Sequence, residues 1–410
     1  MTTDCFSHTL PNGLRMIHLP TCSPVAYCGL AINAGTRDER PDEFGLAHFV
    51  EHMLFKGTQK RKAWHILNRM EYVGGELNAC TSKEETFVYS IFMAENYERA
   101  VELIADLAVH SRFPAREIEK ERDVILDEIQ SCEDNPSELI FDEFENMLFE
   151  GHPLGHHILG NRHSLRSFGS ESAHGFVRRH YTAGNMAFFS TGNIDFKRIV
   201  RPAEKYLSDI PAHAPAGHRE KPQPAPLRPL PCRRRKKTHQ SHVLIGGRAF
   251  DMYDARRIPL FLLNNILGGP GMNSRLNVSL REKCGLVYNV ESNITAYTDT
   301  GLCSVYFGTD PKNRERVTRL VENELLRLRE NRLSDFQLSA AKKQAIGQLG
   351  VSSDHRESLF LGLGKSFLHH DRYERLPELF AKVNAVTASR LQDIANELFA
   401  PERLFTLIYE

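Results

Sequence analysis

The residues best suited to chemistry gather in one string, His48-Phe49-Val50-Glu51-His52. Residues four apart on a helix stand one turn above each other, so His48 and His52 share a face and their imidazoles reach one point. Two neutral imidazoles suit zinc, and a catalytic zinc site takes a third protein ligand and leaves a position for water. Glu51, three residues after His48 and beside His52, can touch that water without being a ligand. The pattern predicts metal-assisted hydrolysis with Zn2+ as the cofactor.

The surrounding residues supply a helix. Leu46, Phe49, Val50, Met53 and Leu54 recur at helical spacing, Pro41 and Asp42 stand before them as starters, and Gly57 closes the C-terminus. Two histidines and a glutamate on so apolar a helix are costly to bury without a partner. A second predicted helix, residues 117–133, offers one. Its apolar stripe is Ile118, Ile125, Ile129 and Cys132; Glu121 and Glu128 border that stripe, roughly 50–70° from its centre, while Asp123 and Asp127 point nearly away. Periodicity leaves Glu121 and Glu128 as equal candidates for the third ligand.

The inverted string at His48–His52, followed by Glu121-Arg122-Asp123-Val124-Ile125-Leu126-Asp127-Glu128, resembles the inverzincin metallopeptidases of the pitrilysin and mitochondrial processing peptidase family. The resemblance implies that Glu128 is the third ligand and that Glu121 orients a zinc-bound histidine. It extends to Asn12-Gly13-Leu14-Arg15, similar to the family's opening hairpin, and to Ala34–Glu39, similar to the turn before its zinc helix. Gly74-Gly75-Glu76-Leu77-Asn78-Ala79-Cys80-Thr81 resembles the family's edge strand. There Gly75, Asn78 and Ala79 would hold an extended peptide by its main chain. Leu280–Tyr288 carries the family's arginine and tyrosine pair, so that Arg281 would hold a substrate carbonyl and Tyr288 would donate to the developing oxyanion. Gly268–Leu276 resembles its glycine-rich loop, stiffened by Pro270.

Composition fits a water-exposed enzyme of more than one domain. The 410 residues are 41% hydrophobic and 25% charged, enough for two cores. The 52 basic and 52 acidic residues cancel, which argues against nucleic acid or an anionic membrane as a partner. The basic run Arg233–Lys237 reads as a solvated linker edge. Neither a signal peptide, nor an amphipathic presequence, nor a membrane-spanning segment is expected. The eight scattered cysteines suggest free thiols and a cytoplasmic location.

Seven prolines between Ile210 and Cys232 predict an extended linker. We therefore expect a zinc-binding catalytic domain at 1–211, a linker at 212–234, and a second domain of like fold at 235–410 that carries Arg281 and Tyr288. The zinc helix and Leu260–Leu267 occupy comparable places in the two halves, a sign of duplication. The expected fold class is α+β, two similar domains, each a mostly antiparallel sheet covered by helices. The resemblance further implies a clamshell homodimer enclosing unfolded peptides, with the zinc site of one chain facing Arg281 and Tyr288 of the other. The expected function is zinc-dependent endopeptidase acting on unfolded peptides or presequence-like segments. The alternative, also found in the family, is a non-catalytic peptide-binding or scaffold subunit, a class that typically loses the zinc ligands this chain keeps.

Overall fold

The computed structural model describes residues 5–213, 219–227 and 229–410. The chain divides into two compact units: Met1–Gln130 with His156–Arg219 and Ser352–Glu374, and Ser131–Gly155 with Glu220–Val351 and Arg375–Glu410.

In the first unit, strands β1 (Phe6–Thr9), β2 (Arg15–Pro20), β3 (Val25–Ile32), β4 (Glu76–Thr81), β5 (Thr86–Met93) and β6 (Met186–Gly192) form one sheet. Their order is β1-β2-β6-β3-β5-β4, parallel only between β2 and β6. In the second unit, β7 (Cys232–Arg234), β8 (Ser241–Ala249), β9 (Val287–Ala296), β10 (Gly301–Thr309) and β11 (Phe405–Tyr409) run in the order β7-β11-β8-β10-β9, parallel only between β11 and β7. The order β6-β3-β5-β4 is thus repeated as β11-β8-β10-β9. Helices follow at equivalent places, Leu46–Leu54 and Arg257–Gly268 after β3 and β8, and Tyr97–His110 and Arg314–Glu330 after β5 and β10. The fold is α+β with two similar domains, as expected, and the duplication lies in topology.

Each sheet is apolar on both faces, and this decides how the chain is apportioned. Along β3, Cys28, Leu30 and Ile32 face one core with the Leu46–Leu54 and Tyr97–His110 helices. The alternate residues Tyr27 and Ala31 pack against Phe360, Leu363 and Phe367 of the helix Arg356–His370. In the second unit Leu244 packs with Leu139, Ile140 and Phe144 of the helix Pro136–Leu148. The division expected at 211 and 235 follows chain order, but these two helices are exchanged across it because each sheet needs a second cover.

The linker expected at 212–234 is also shorter at its end. Cys232–Arg234 form β7, and Arg234 and Lys236 from the basic run both pair with Glu143. Residues 214–218 and 228 of that segment lie outside the described residues. None of the eight cysteines, all among the described residues, forms a disulfide. Among the described residues, no helix is long and apolar enough to cross a membrane.

Candidate metal centre and active site

The string at His48 lies on the helix Leu46–Leu54, which buries Leu46, Phe49, Val50, Met53 and Leu54. Its start is fixed differently from the expected Pro41-Asp42 signal. The carboxylate of Glu39 accepts from the backbone N–H of Gly45 at 2.8 Å and of Ala47 at 2.7 Å, satisfying donors that a helix start leaves free. Gly45 has φ +95°, and a Cβ there would stand 2.7 Å from Gly160 Cα and Leu159 O, so only glycine fits. The helix ends at Leu54, three residues before Gly57.

The second element, Ala115–Glu133, buries Ile118, Ile125 and Ile129 and brings both candidate glutamates to the histidines. They take different nitrogens. Glu121 Oε1 lies 2.8 Å from His52 Nδ1, and Glu121 Oε2 pairs with Lys56 Nζ at 2.6 Å. Glu128 Oε2 lies 3.8 Å from His48 Nε2 and 3.7 Å from His52 Nε2, and those two nitrogens are 3.2 Å apart. His48, His52 and Glu128 are the one group of three or more potential metal ligands among the described residues, with their donor atoms within 4.8 Å of one another. Donors about 2.0–2.1 Å from a tetrahedral ion stand roughly 3.3 Å apart, so small side-chain movements suffice to hold zinc. Glu128 Oε2 is buried with no hydrogen-bond partner, as is His48 Nδ1. A turned-in carboxylate oxygen beside two ring nitrogens fits a cation.

The electrostatics treat the two imidazoles differently. Burial lowers the pKa of His48 to about 3, so its ring is neutral, the form that donates a lone pair to metal. For His52 burial works against the charged ring, but the hydrogen bond and charge of Glu121, with Glu128 and Glu51, outweigh it and raise the pKa. Glu121 responds in kind. Burial pushes its carboxyl up, and His52 and Lys56 pull it below the ordinary range.

Glu51 Oε2 is buried without a hydrogen-bond partner. Burial raises the carboxyl's pKa, with Thr81 at the end of β4 and the charge of His52 opposing. A carboxyl raised in this way holds a proton more readily than an exposed one, the direction that general acid–base chemistry uses.

The segment Gly74–Thr81 does form an edge, since β4 pairs with β5 on one side only. Asn78 and Ala79 lie within it. Gly75 precedes the strand, and there a Cβ would meet Ile91 O at 2.8 Å and Phe92 Cβ at 3.1 Å, so its glycine has a packing reason of its own.

Arg281 and Tyr288 lie in the second unit. Arg281 is in a single π-turn, Asn277–Glu282, and Tyr288 on the edge strand β9 is 85% exposed. The β9-β10 register slips where Gly308 pairs with Asn289 and Thr309 with Val287, leaving Tyr288 as the bulged residue. A bulge re-aims its side chain.

Comparison with known proteins identifies the family. A family model described as Insulinase (Peptidase family M16) matches residues 17–162, and one described as Peptidase M16 inactive domain matches residues 167–345. The uncharacterized zinc protease YmxG of Bacillus subtilis is 32% identical over 98% of this chain and 97% of its own length. The chain belongs to peptidase family M16. It is of the half-size type of this pitrilysin family. An uncharacterized zinc protease of Streptomyces coelicolor is 31% identical over 95% of this chain and 86% of its own. Two solved structures share the M16 fold. A peptidase M16 inactive domain from Pseudomonas fluorescens has a TM-score of 0.92 at 19% identity, covering 99% of this chain and 97% of its own. A protease from Helicobacter pylori has 0.91 at 21%, covering all of both chains.

Three neighbours of these residues were given no role by the sequence reading. Lys56, one turn beyond His52, was readable from its i+4 spacing. Glu39, which holds the helix start from outside it, and Thr81, which faces Glu51 from a different element, carry no local signal.

Proposed function

We propose that this chain is a zinc-dependent endopeptidase that cuts extended, unfolded peptides. The observation that carries the reading is the convergence of His48 Nε2, His52 Nε2 and Glu128 Oε2 beside the buried carboxyl of Glu51. The relatives' description as zinc proteases supports it.

His48, His52 and Glu128 would hold the ion. Glu121 fixes the His52 ring by its contact at Nδ1, which leaves Nε2 for the metal, and Lys56 holds Glu121 in turn. Zinc, when bound, supplies Lewis acidity and lowers the pKa of water to about 7. The carboxylate of Glu51 takes the proton as water attacks the peptide carbonyl and gives it to the leaving amine nitrogen. The free edge of β4 pairs with the substrate main chain through Asn78 and Ala79. Arg281 holds a substrate carbonyl and Tyr288 donates to the oxyanion, roles that rest on the family resemblance. So does a homodimer completing the site, while a cytoplasmic location rests on the eight scattered cysteines.

Incubating the purified chain with a quenched fluorescent peptide, after zinc removal and after zinc return, tests this reading. Hydrolysis that disappears and recovers with zinc is expected. Stoichiometric zinc without hydrolysis of any unfolded peptide would favour the non-catalytic peptide-binding subunit.

A further inference from the structure

The only tryptophan of this chain is on its surface. Trp64, Leu67 and Tyr72, at the helix Ala63–Glu71 and its C-terminal end, are 60, 50 and 67% exposed. The indole meets the Tyr72 ring edge-on with centroids 6.1 Å apart. Isolated exposed apolar residues are ordinary, but three large ones within nine positions make a patch.

What the helix buries fixes where the patch points. Ile66 and Met70 are fully buried, and Arg69 turns to Glu102 on the helix Tyr97–His110. At about 100° per residue, Leu67 and Trp64 lie on the side away from Arg69. The helix packs on both β4 and Tyr97–His110. Its far side, which carries Trp64 and Leu67, is therefore turned away from the Tyr97–His110 helix, and the strand β4 on which it packs has one edge with no neighbouring strand. Leu77 and Ala79 of β4 face the same core as this helix.

Direction along β4 supplies a distance. Its C-terminal residue, Thr81, is the polar neighbour that opposes the rise of the Glu51 pKa, and its N-terminal residue, Glu76, follows the turn Tyr72–Gly75 at the end of the patch helix. Five strand steps at about 3.4 Å separate the two ends by roughly 17 Å. A peptide laid along β4 from the reacting centre reaches the patch after about five residues, with alternate side chains turned toward the helix.

We infer that Trp64, Leu67 and Tyr72 form a secondary substrate site for a large apolar or aromatic side chain about five residues from the bond that is cut. This rests on β4 being the main-chain partner of the peptide, as proposed above. The enzyme then selects peptides with two apolar anchors at fixed separation over peptides with one.

The sole tryptophan gives a direct test. A peptide scan places one Phe at successive positions on either side of the scissile bond. A rise in kcat/KM of about tenfold is expected near the fifth position on one side, and the double variant Trp64→Ser, Leu67→Ser should bring that ratio close to one. In zinc-loaded Glu51→Gln protein, binding of the preferred peptide should shift tryptophan emission to the blue and shield it from acrylamide. A flat scan with unshifted emission in an actively cleaving enzyme overturns the inference and leaves the protease reading intact. Blue-shifted emission on binding, with no hydrolysis by the wild type, supports the patch and removes the protease reading. Emission already blue in the free protein and reddening on dilution assigns the patch to a second copy of the chain and overturns the inference.

Discussion

Glu121 Oε1 lies 2.8 Å from His52 Nδ1, which reserves the opposite nitrogen of that ring for the group it shares with Glu128. Two glutamates on one helix thus meet one histidine differently, one bonded at Nδ1 and one standing beside Nε2. Glu121→Gln should lower zinc affinity about 10- to 100-fold, and Glu128→Gln should lower it further. Competition with a chelator of known affinity measures both. Zinc retained by Glu128→Gln and lost by Glu121→Gln would reverse the assignment.

Lys56 should act through Glu121 and not on the metal itself. Lys56→Met removes its ion pair with Glu121 Oε2 and should weaken zinc binding by less than Glu121→Gln does, with no additional loss when the two are combined. Chelator titrations of the single and double variants form the cycle. Additive losses would show that Lys56 acts elsewhere.

The cover helix Arg356–His370 is pinned by a buried acid. Glu85 lies 2.8 Å from His369 Nε2 and 2.9 Å from Lys365 Nζ, and burial raises its pKa less than these partners lower it, to about 2. A carboxyl depressed in the folded state adds stability above its unfolded pKa, near 4.5, and that stability fades as pH falls toward about 2. Glu85→Gln should cost on the order of 3 kcal/mol at neutral pH. The gap to wild type should close between pH 4.5 and 2, as measured by urea unfolding. A gap independent of pH would mean that shape and not charge holds the helix.

Dimerisation predicts complementation. If Tyr288 serves the zinc site of a partner chain, mixing inactive Glu51→Gln with inactive Tyr288→Phe should restore hydrolysis through hybrid dimers. Tyr288→Phe alone should lower kcat roughly 100-fold with zinc content unchanged. No rescue, with subunit exchange shown by labelled chains, would confine the site to one chain or remove Tyr288 from it.

The histidine pair and Glu51 were legible because one helical turn sets their spacing. Glu121 and Glu128 were not separable by periodicity, since both lie on the same side of their stripe. What separates them is position along the axis, about 10 Å over seven residues, and that matters only once the helix is docked against His48 and His52. The exchange of Pro136–Leu148 and Arg356–His370 was hidden for a similar reason. An amphipathic helix announces an apolar face but not which sheet receives it. The bulge at Tyr288 depends on the register of β10, which no local residue at 288 encodes.

In the proposed reaction Glu51 moves the proton while His48, His52 and Glu128 hold the metal. Parallel measurement of bound zinc and peptide turnover in wild type and Glu51→Gln tests it most directly. Equal zinc, about one ion per chain, and turnover reduced by roughly 100-fold or more in the variant are expected. Wild-type turnover by Glu51→Gln at equal zinc would contradict it.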